Sequence, residues 1–146
     1  MIKYSSPDGV DLKPAHPGDA GVDLTANDLT IIEAGESGFI TTGIRIEIPE
    51  DMFGWVVARS STFDTFGLIV LPGSIVHGFT GEVGVKAFNP IRHGAYVERG
   101  ARVAQFVLMP CVMAHVVFRR VSIVNIHQAP TARGANGFGS TGRTMR

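Results

Sequence analysis

Residues 39–49 read Phe39-Ile40-Thr41-Thr42-Gly43-Ile44-Arg45-Ile46-Glu47-Ile48-Pro49, and their second half decides the class of fold. Ile44, Ile46 and Ile48 recur at period two, with Arg45 and Glu47 between them. In an extended chain this puts three branched apolar side chains on one face and two charges on the other, and Pro49 ends the run. It is the signature of a half-buried strand. Outward from it, Gly54-Trp55-Val56-Val57-Ala58, Leu68-Ile69-Val70-Leu71 and Glu82-Val83-Gly84-Val85-Lys86-Ala87-Phe88 read as further strands. Arg102-Val103-Ala104-Gln105-Phe106-Val107-Leu108-Met109 and His115-Val116-Val117-Phe118 continue the series. Eighteen glycines and eight prolines punctuate these runs. Many short strands separated by Gly/Pro turns predict an all-β sandwich, jelly roll or barrel. One helix is expected, over Ser60-Ser61-Thr62-Phe63-Asp64-Thr65-Phe66, about two turns long with hydroxyl residues at its cap.

At 146 residues the chain suits one domain with its own core. Beyond Val124 the composition turns to Gly, Ala, Ser, Thr and Arg, which predicts a β domain over 1–124 and a flexible arm over 125–146. No internal repeat is visible. The 13 Lys+Arg balance 13 Asp+Glu, which argues against a general grip on a nucleic-acid polymer. The clustered Arg119, Arg120, Arg133, Arg143 and Arg146 make the C-terminal end basic and suited to a small polyanion. Cys111 is the single cysteine, so no intrachain disulfide forms, and it reads as a buried small hydrophobe. No apolar run approaches membrane-spanning length, and the N-terminus has no signal-like core. A soluble, cytoplasmic protein is the expectation.

Five segments carry candidate chemistry. Arg133-Gly134-Ala135-Asn136-Gly137-Phe138-Gly139-Ser140-Thr141-Gly142 combines close-approaching backbone amides, two hydroxyls, a guanidinium and an aromatic ring. That set suits a nucleoside polyphosphate, but a Gly-rich tail has the same composition, and no Gly-Lys-Ser/Thr ending makes it a P-loop. Arg59-Ser60-Ser61-Thr62 at a helix start is either a second anion site or an ordinary cap. Ala20-Gly21-Val22-Asp23-Leu24 places one acid after a glycine, which reads as a turn carboxylate or an arginine partner. Gly100-Ala101-Arg102-Val103-Ala104-Gln105 offers an arginine and a glutamine in a buried strand. His16, His77, His93, His115 and His127 have no ligand spacing, so a structural zinc site is not expected.

Taken in order, these segments and Pro72-Gly73 through Gly81-Glu82 resemble the five motifs of the homotrimeric dUTPase family. Ala20 to Leu24 resembles the first, Arg59-Ser60-Ser61 the second and Gly73 to Glu82 the third. Gly100 to Gln105 resembles the fourth, and Arg133 to Gly142 the fifth. The resemblance implies a jelly-roll or β-barrel subunit with one short helix and a C-terminal arm. It implies a trimer whose active sites lie between subunits, each completed by an arm. The implied reaction is attack of water on the α-phosphorus of dUTP, giving dUMP and pyrophosphate. Mg²⁺ is then held through the substrate phosphates and water rather than by protein ligands. On this resemblance Ser60 and Ser61 meet phosphates, Arg59 and Asp23 form the supporting charge network, and Gln105 faces the phosphate side. Gly73 and Ile75 belong to a hairpin, Leu71 to Ile75, that reads uracil through its backbone. Arg133, Gly139, Ser140 and Thr141 hold the γ-phosphate and Phe138 covers the base.

The third motif departs from the family pattern Gly-x-Ile-Asp-x-x-Tyr-x-Gly-Glu. Here it reads Gly73-Ser74-Ile75-Val76-His77-Gly78-Phe79-Thr80-Gly81-Glu82. Phe79 keeps the ring that packs on the deoxyribose. Val76 stands where the family has the aspartate that orients and deprotonates the water, and valine can do neither. His77 is expected to point to the other face of the strand, and Glu82 lies too far along to take its place. Three readings remain open: a diphosphatase with impaired or altered turnover, a non-catalytic deoxynucleotide-binding homologue, and a dCTP-deaminase-like protein. Lys86 at the position of that deaminase family's catalytic glutamate argues against the third.

Overall fold

The computed structural model describes residues 1–7 and 9–120. The chain divides into Met1–His115 and Val116–Arg146. Of the second unit, residues 116–120 are described and carry no regular secondary structure.

The first unit consists of eleven strands, one short α-helix and a terminal 3-10 turn. They run β1 (Tyr4–Ser5), β2 (Val22–Thr25), β3 (Thr30–Ile32), β4 (Ser37–Ile40), β5 (Arg45–Ile46) and β6 (Met52–Val57). Then come α1 (Thr62–Phe66), β7 (Ile69–Leu71), β8 (Gly73–Val76), β9 (Val85–Phe88), β10 (Ala95–Val97) and β11 (Arg102–Pro110). The 3-10 turn covers Val112–His115. Every pairing is antiparallel, in four small sheets ordered β2-β11-β6-β8, β4-β9-β7, β3-β10 and β1-β5. The all-β expectation with one helix holds.

One core joins the sheets. Ile44, Ile46 and Ile48 are all buried in it, as their spacing requires, beside Leu24, Ile40, Leu68, Val83, Val85 and Val103. Each such side chain contributes roughly 1.5–3 kcal/mol by leaving water. Residues 39–49 are nevertheless not one strand: Gly43 takes a positive φ of 70° and splits β4 from β5. A second glycine answers a packing demand. Gly54 faces inward on β6, and the Phe106 ring of β11 occupies the space a side chain there would need.

Several sequence expectations change. His115 to Phe118 is not a strand: His115 closes the 3-10 turn and residues 116–120 have no ladder partner among the described residues. The helix is a single short turn, five residues long, and Ser61 occupies its N-cap without a side-chain bond. It ends at Gly67, left-handed at φ 67°, whose N–H reaches Phe63 O at 2.7 Å. Leu71 to Ile75 is not a hairpin. β7 pairs with β9 and β8 with β6, so the chain crosses from one sheet to another at Pro72, where a missing N–H costs no ladder bond. Cys111 is half-buried rather than buried. Asp23 lies inside β2, not in a turn.

Replacing Gly54 by Ala pushes a methyl group into the Phe106 ring. We expect a loss of about 1–3 kcal/mol in urea unfolding monitored by far-UV circular dichroism; an unchanged midpoint would contradict this packing.

Candidate active site

The four-stranded sheet has an inner face at Gly54, Val56 and Phe106, which Gly73 and Ile75 share, and an outer face that carries Asp23, Gln105 and Val76. Directly paired residues of antiparallel strands share a face. Asp23 of β2 pairs with Gln105 of β11, which pairs with Val57 of β6. Further along the same outer face, Val107, Trp55 and Ser74 form a row, followed by Met109, Phe53 and Val76.

At the Asp23 end the side chains form a charged cluster. Asp23 Oδ1 accepts from Arg59 Nε at 2.8 Å, and its Oδ2 accepts from Arg102 Nη1 at 3.3 Å. Arg59 also donates from Nη1 to the Arg102 carbonyl at 3.2 Å. The Asp23 and Arg59 side chains are 27% and 25% exposed, so their pairing is partly shielded from water and fixes the guanidinium plane. Thr62 locks the chain behind Arg59: its hydroxyl accepts from the Arg59 N–H and donates to the Val103 carbonyl, each at 3.0 Å. Gln105 donates from Nε2 to the Ala58 carbonyl at 3.1 Å. A cavity of about 350 Å³ opens here, lined by His16, Asp19, Asp23, Arg59, Ser60, Arg102 and Gln105 among others. Gly21, also in its wall, lies so close to β11 that a Cβ would stand 2.9 Å from Phe106 O.

The structure thus brings Asp23, Arg59, Ser60 and Gln105 together. Arg102 is an exposed partner of Asp23 and not a buried strand residue. At the start of α1 the Thr62 N–H is committed to Arg59 O. Ser61 is exposed and does not line the cavity. His16 and Asp19 were not singled out from the sequence. They are joined by an Asp19 Oδ2 bond to the His16 N–H at 2.8 Å, a loop contact without a periodic signal.

The third motif lies at the other end of the face. Gly73, Ile75 and Val76 sit in β8, and Val76, 58% exposed, is opposite Phe53. From Phe53 to Arg59 at about 3.3 Å per residue the chain spans roughly 20 Å. Val76 and the Asp23–Arg59 pair of one chain therefore lie too far apart to meet one phosphate group. After Val76 the chain reverses in a tight turn: Phe79 N–H reaches Val76 O at 3.2 Å, and Gly78 supplies φ 83° at the third position, the pattern of a type II turn. Phe79 is exposed, with its ring against Gly81. His77 turns to Ile48, Nδ1 standing 2.7 Å from that carbonyl. Glu82 Oε1 accepts from the N–H groups of Thr42 and Gly43, the latter at 2.8 Å. Glu82 is thus committed to two backbone amides, and His77 is tied to Ile48 through Nδ1. Arg133, Phe138, Gly139, Ser140 and Thr141 lie outside the described residues.

The family model for dUTPase matches residues 8–142. The chain belongs to the dUTPase family. A protein of Leifsonia xyli subsp. xyli named deoxyuridine 5'-triphosphate nucleotidohydrolase is 37% identical over 135 residues, covering 90% of this chain and 84% of that protein. A protein of the same name from Clostridium tetani is 37% identical over 131 residues, covering 88% and 86%. Among solved structures, a mutant dUTPase of Staphylococcus bacteriophage 80alpha with dUpNHpp superposes with a TM-score of 0.81 at 22% identity, covering 98% of this chain and 99% of that one. A mutant dUTPase from phage phi11 of S. aureus, described with a structural Mg(II) ion, gives 0.73 at 18% identity over 88% and 99%. At these identities the two structures establish a shared fold.

Arg59→Lys keeps the charge but loses the fork that joins Asp23 to the Arg102 carbonyl. We expect affinity for inorganic tripolyphosphate, read by calorimetry, to fall about tenfold; equal affinity would show that charge alone is used.

Proposed function

We propose that this protein hydrolyses dUTP to dUMP and pyrophosphate in a homotrimer with shared sites, and that Val76 makes its turnover slow. The observation that carries the reading is Asp23 holding Arg59 and Arg102 beside a cavity that Ser60 and Gln105 also line. A fixed guanidinium with hydroxyl and amide donors binds the oxygens of a phosphate chain. The separation of roughly 20 Å between that end and the Val76–Phe79 turn supports a site built from more than one copy. One copy supplies the phosphate grip and another the turn. We assign Arg133, Gly139, Ser140 and Thr141 to the γ-phosphate and Phe138 to the base from their place in the fifth motif. We place the protein in the cytoplasm, in keeping with its nucleotide substrate; no helix among the described residues is long and apolar enough to cross a membrane.

Mg²⁺ fits this arrangement as an ion carried by the triphosphate. Among the described residues no group of three or more His, Cys, Asp or Glu side chains converges, and both oxygens of Asp23 are engaged by arginines. Mg²⁺ prefers phosphate oxygens and retained waters to all-protein cages, and when bound it supplies neutralisation of the phosphate charge. Arg59, Ser60 and Gln105 orient the chain for attack at the α-phosphorus. The proton of the attacking water has no carboxylate at position 76 to receive it, and general-base catalysis contributes about 10²–10⁴-fold. What remains is positioning and electrostatic stabilisation.

A non-catalytic binding role is the second reading, favoured by one observation: Val76 completes an apolar row with Phe53 and Met109. Deamination is not supported, since Lys86, an exposed cation on β9 flanked by Phe39 and Leu71, offers no carboxylate.

Val76→Asp decides between these readings in a pyrophosphate-release assay. We expect kcat to rise about 10²–10⁴-fold with KM little changed. Tight dUTP binding with no turnover in the parent chain favours the binding role. No gain in the variant shows that position 76 does not face the water.

A further inference from the structure

The loop that carries Phe79 is held in an unusual way. Residues 77–84 run antiparallel to residues 42–48, and side chains supply most of the contacts. His77 meets the Ile48 carbonyl at 2.7 Å, Arg45 Nη1 donates to the Thr80 carbonyl at 2.7 Å, and Glu82 accepts from the Thr42 and Gly43 amides. Only the bond from Val83 N–H to Ile44 O, 2.8 Å, is of the ladder type. The backing strand is itself fixed on two other sides. Its isoleucines are buried in the core, and its far edge pairs with β1 through Tyr4↔Ile46 and Ser5↔Arg45.

Two of these ties bracket Phe79. His77 lies two residues before it and Thr80 one residue after it, and Phe79 N–H is bonded to Val76 O between them. A carbonyl oxygen only accepts, so His77 must carry a proton on Nδ1. Gly81 leaves the Phe79 ring its space. With the loop tied on both sides, the ring holds one position relative to β8.

We propose that Arg45 and His77 are positioning residues that hold the Phe79 ring and thereby set the preference for a 2′-deoxy sugar. The inference rests on the nucleotide-binding reading above, in which this ring packs on the sugar. Both ties are side chain to backbone, and Arg45 is exposed. Their loss therefore loosens the loop while the buried isoleucines keep the strand and fold in place. The Asp23–Arg59 grip, at the far end of the outer face, is left untouched.

The test is calorimetry on the full chain with three probes: α,β-imido-dUTP, α,β-imido-UTP and inorganic tripolyphosphate. In Arg45→Ala/His77→Ala we expect the ratio of deoxy to ribo affinity to fall about tenfold, the effect of losing two modest hydrogen bonds. Tripolyphosphate affinity should stay within about twofold of the parent value, because Arg45 and His77 bond to none of Asp23, Arg59, Ser60 and Gln105. In Arg45→Ala/His77→Asn the asparagine amide replaces the Nδ1 donor, and part of the ratio should return. A ratio unmoved by the double alanine variant, or a parallel loss for all three probes, overturns the proposal. A parent chain that binds neither nucleotide sinks the nucleotide reading itself; one that binds both equally sinks only this inference. Should the double variant fail to fold, the single exposed change Arg45→Ala carries the same comparison.

Discussion

Burial of Ile44, Ile46 and Ile48 is the constraint from which much of the molecule follows. It commits one face of residues 42–48 to the core and leaves both backbone edges available. Backbone groups of successive residues in a strand point to opposite edges. The Glu47 N–H accordingly meets Lys3 O on the β1 side, while the carbonyls of Ile44 and Ile48 face the 77–84 loop. One buried stripe thus carries the N-terminal strand on one edge and the 77–84 loop on the other. A charged pair at Arg45 and Glu47 is tolerated because the face it occupies is wet, and Arg45 then becomes useful by reaching Thr80.

The outer face of the β2-β11-β6-β8 sheet shows the complementary economy. Its inner face belongs to the core, so the outer one is free to carry function. That face is charged at the Asp23 end and apolar at the Val76 end, with Trp55 and Val107 between. Such a gradient gives the two ends of one sheet face opposite chemistry. It also explains why Val76 is stable where it stands: it pairs across the strand with Phe53 in a row that already excludes charge. Locally, Val76 and Phe53 form an ordinary apolar cross-strand pair.

Much of the fold was legible in the sequence where a local period was present. The strands around Trp55, Val85 and Phe106 announce themselves as short apolar runs between Gly and Pro turns, and the helix by the hydroxyl residues at its start. The strands that escaped notice are short or lack alternation: β1 holds two residues, β3 and β10 three each. The misread strand at His115 has the right composition but no partner among the described residues, since composition does not specify a ladder. The supposed hairpin at Leu71 failed because Pro72 marks a change of sheet as readily as a turn. Of the candidate site, Asp23, Arg59, Ser60 and Gln105 converge as their motifs implied, whereas the supporting roles of Thr62, Arg45 and His77 had no sequence signal.

The sequence by itself determined that this chain is built from strands, that it carries the dUTPase motifs in order, and that valine stands at position 76. Those are properties of residue type and local spacing, which do not depend on the rest of the chain. Only the tertiary structure decided that Asp23 lies between Arg59 and Arg102, partners 36 and 79 residues away. It alone decided that Asp23 and Val76 lie at opposite ends of one sheet face, and that His77 meets Ile48. Strand register sets these relations, because each one-residue slip reverses every side chain. Register follows from the burial of the whole core at once, which no single stretch of sequence contains.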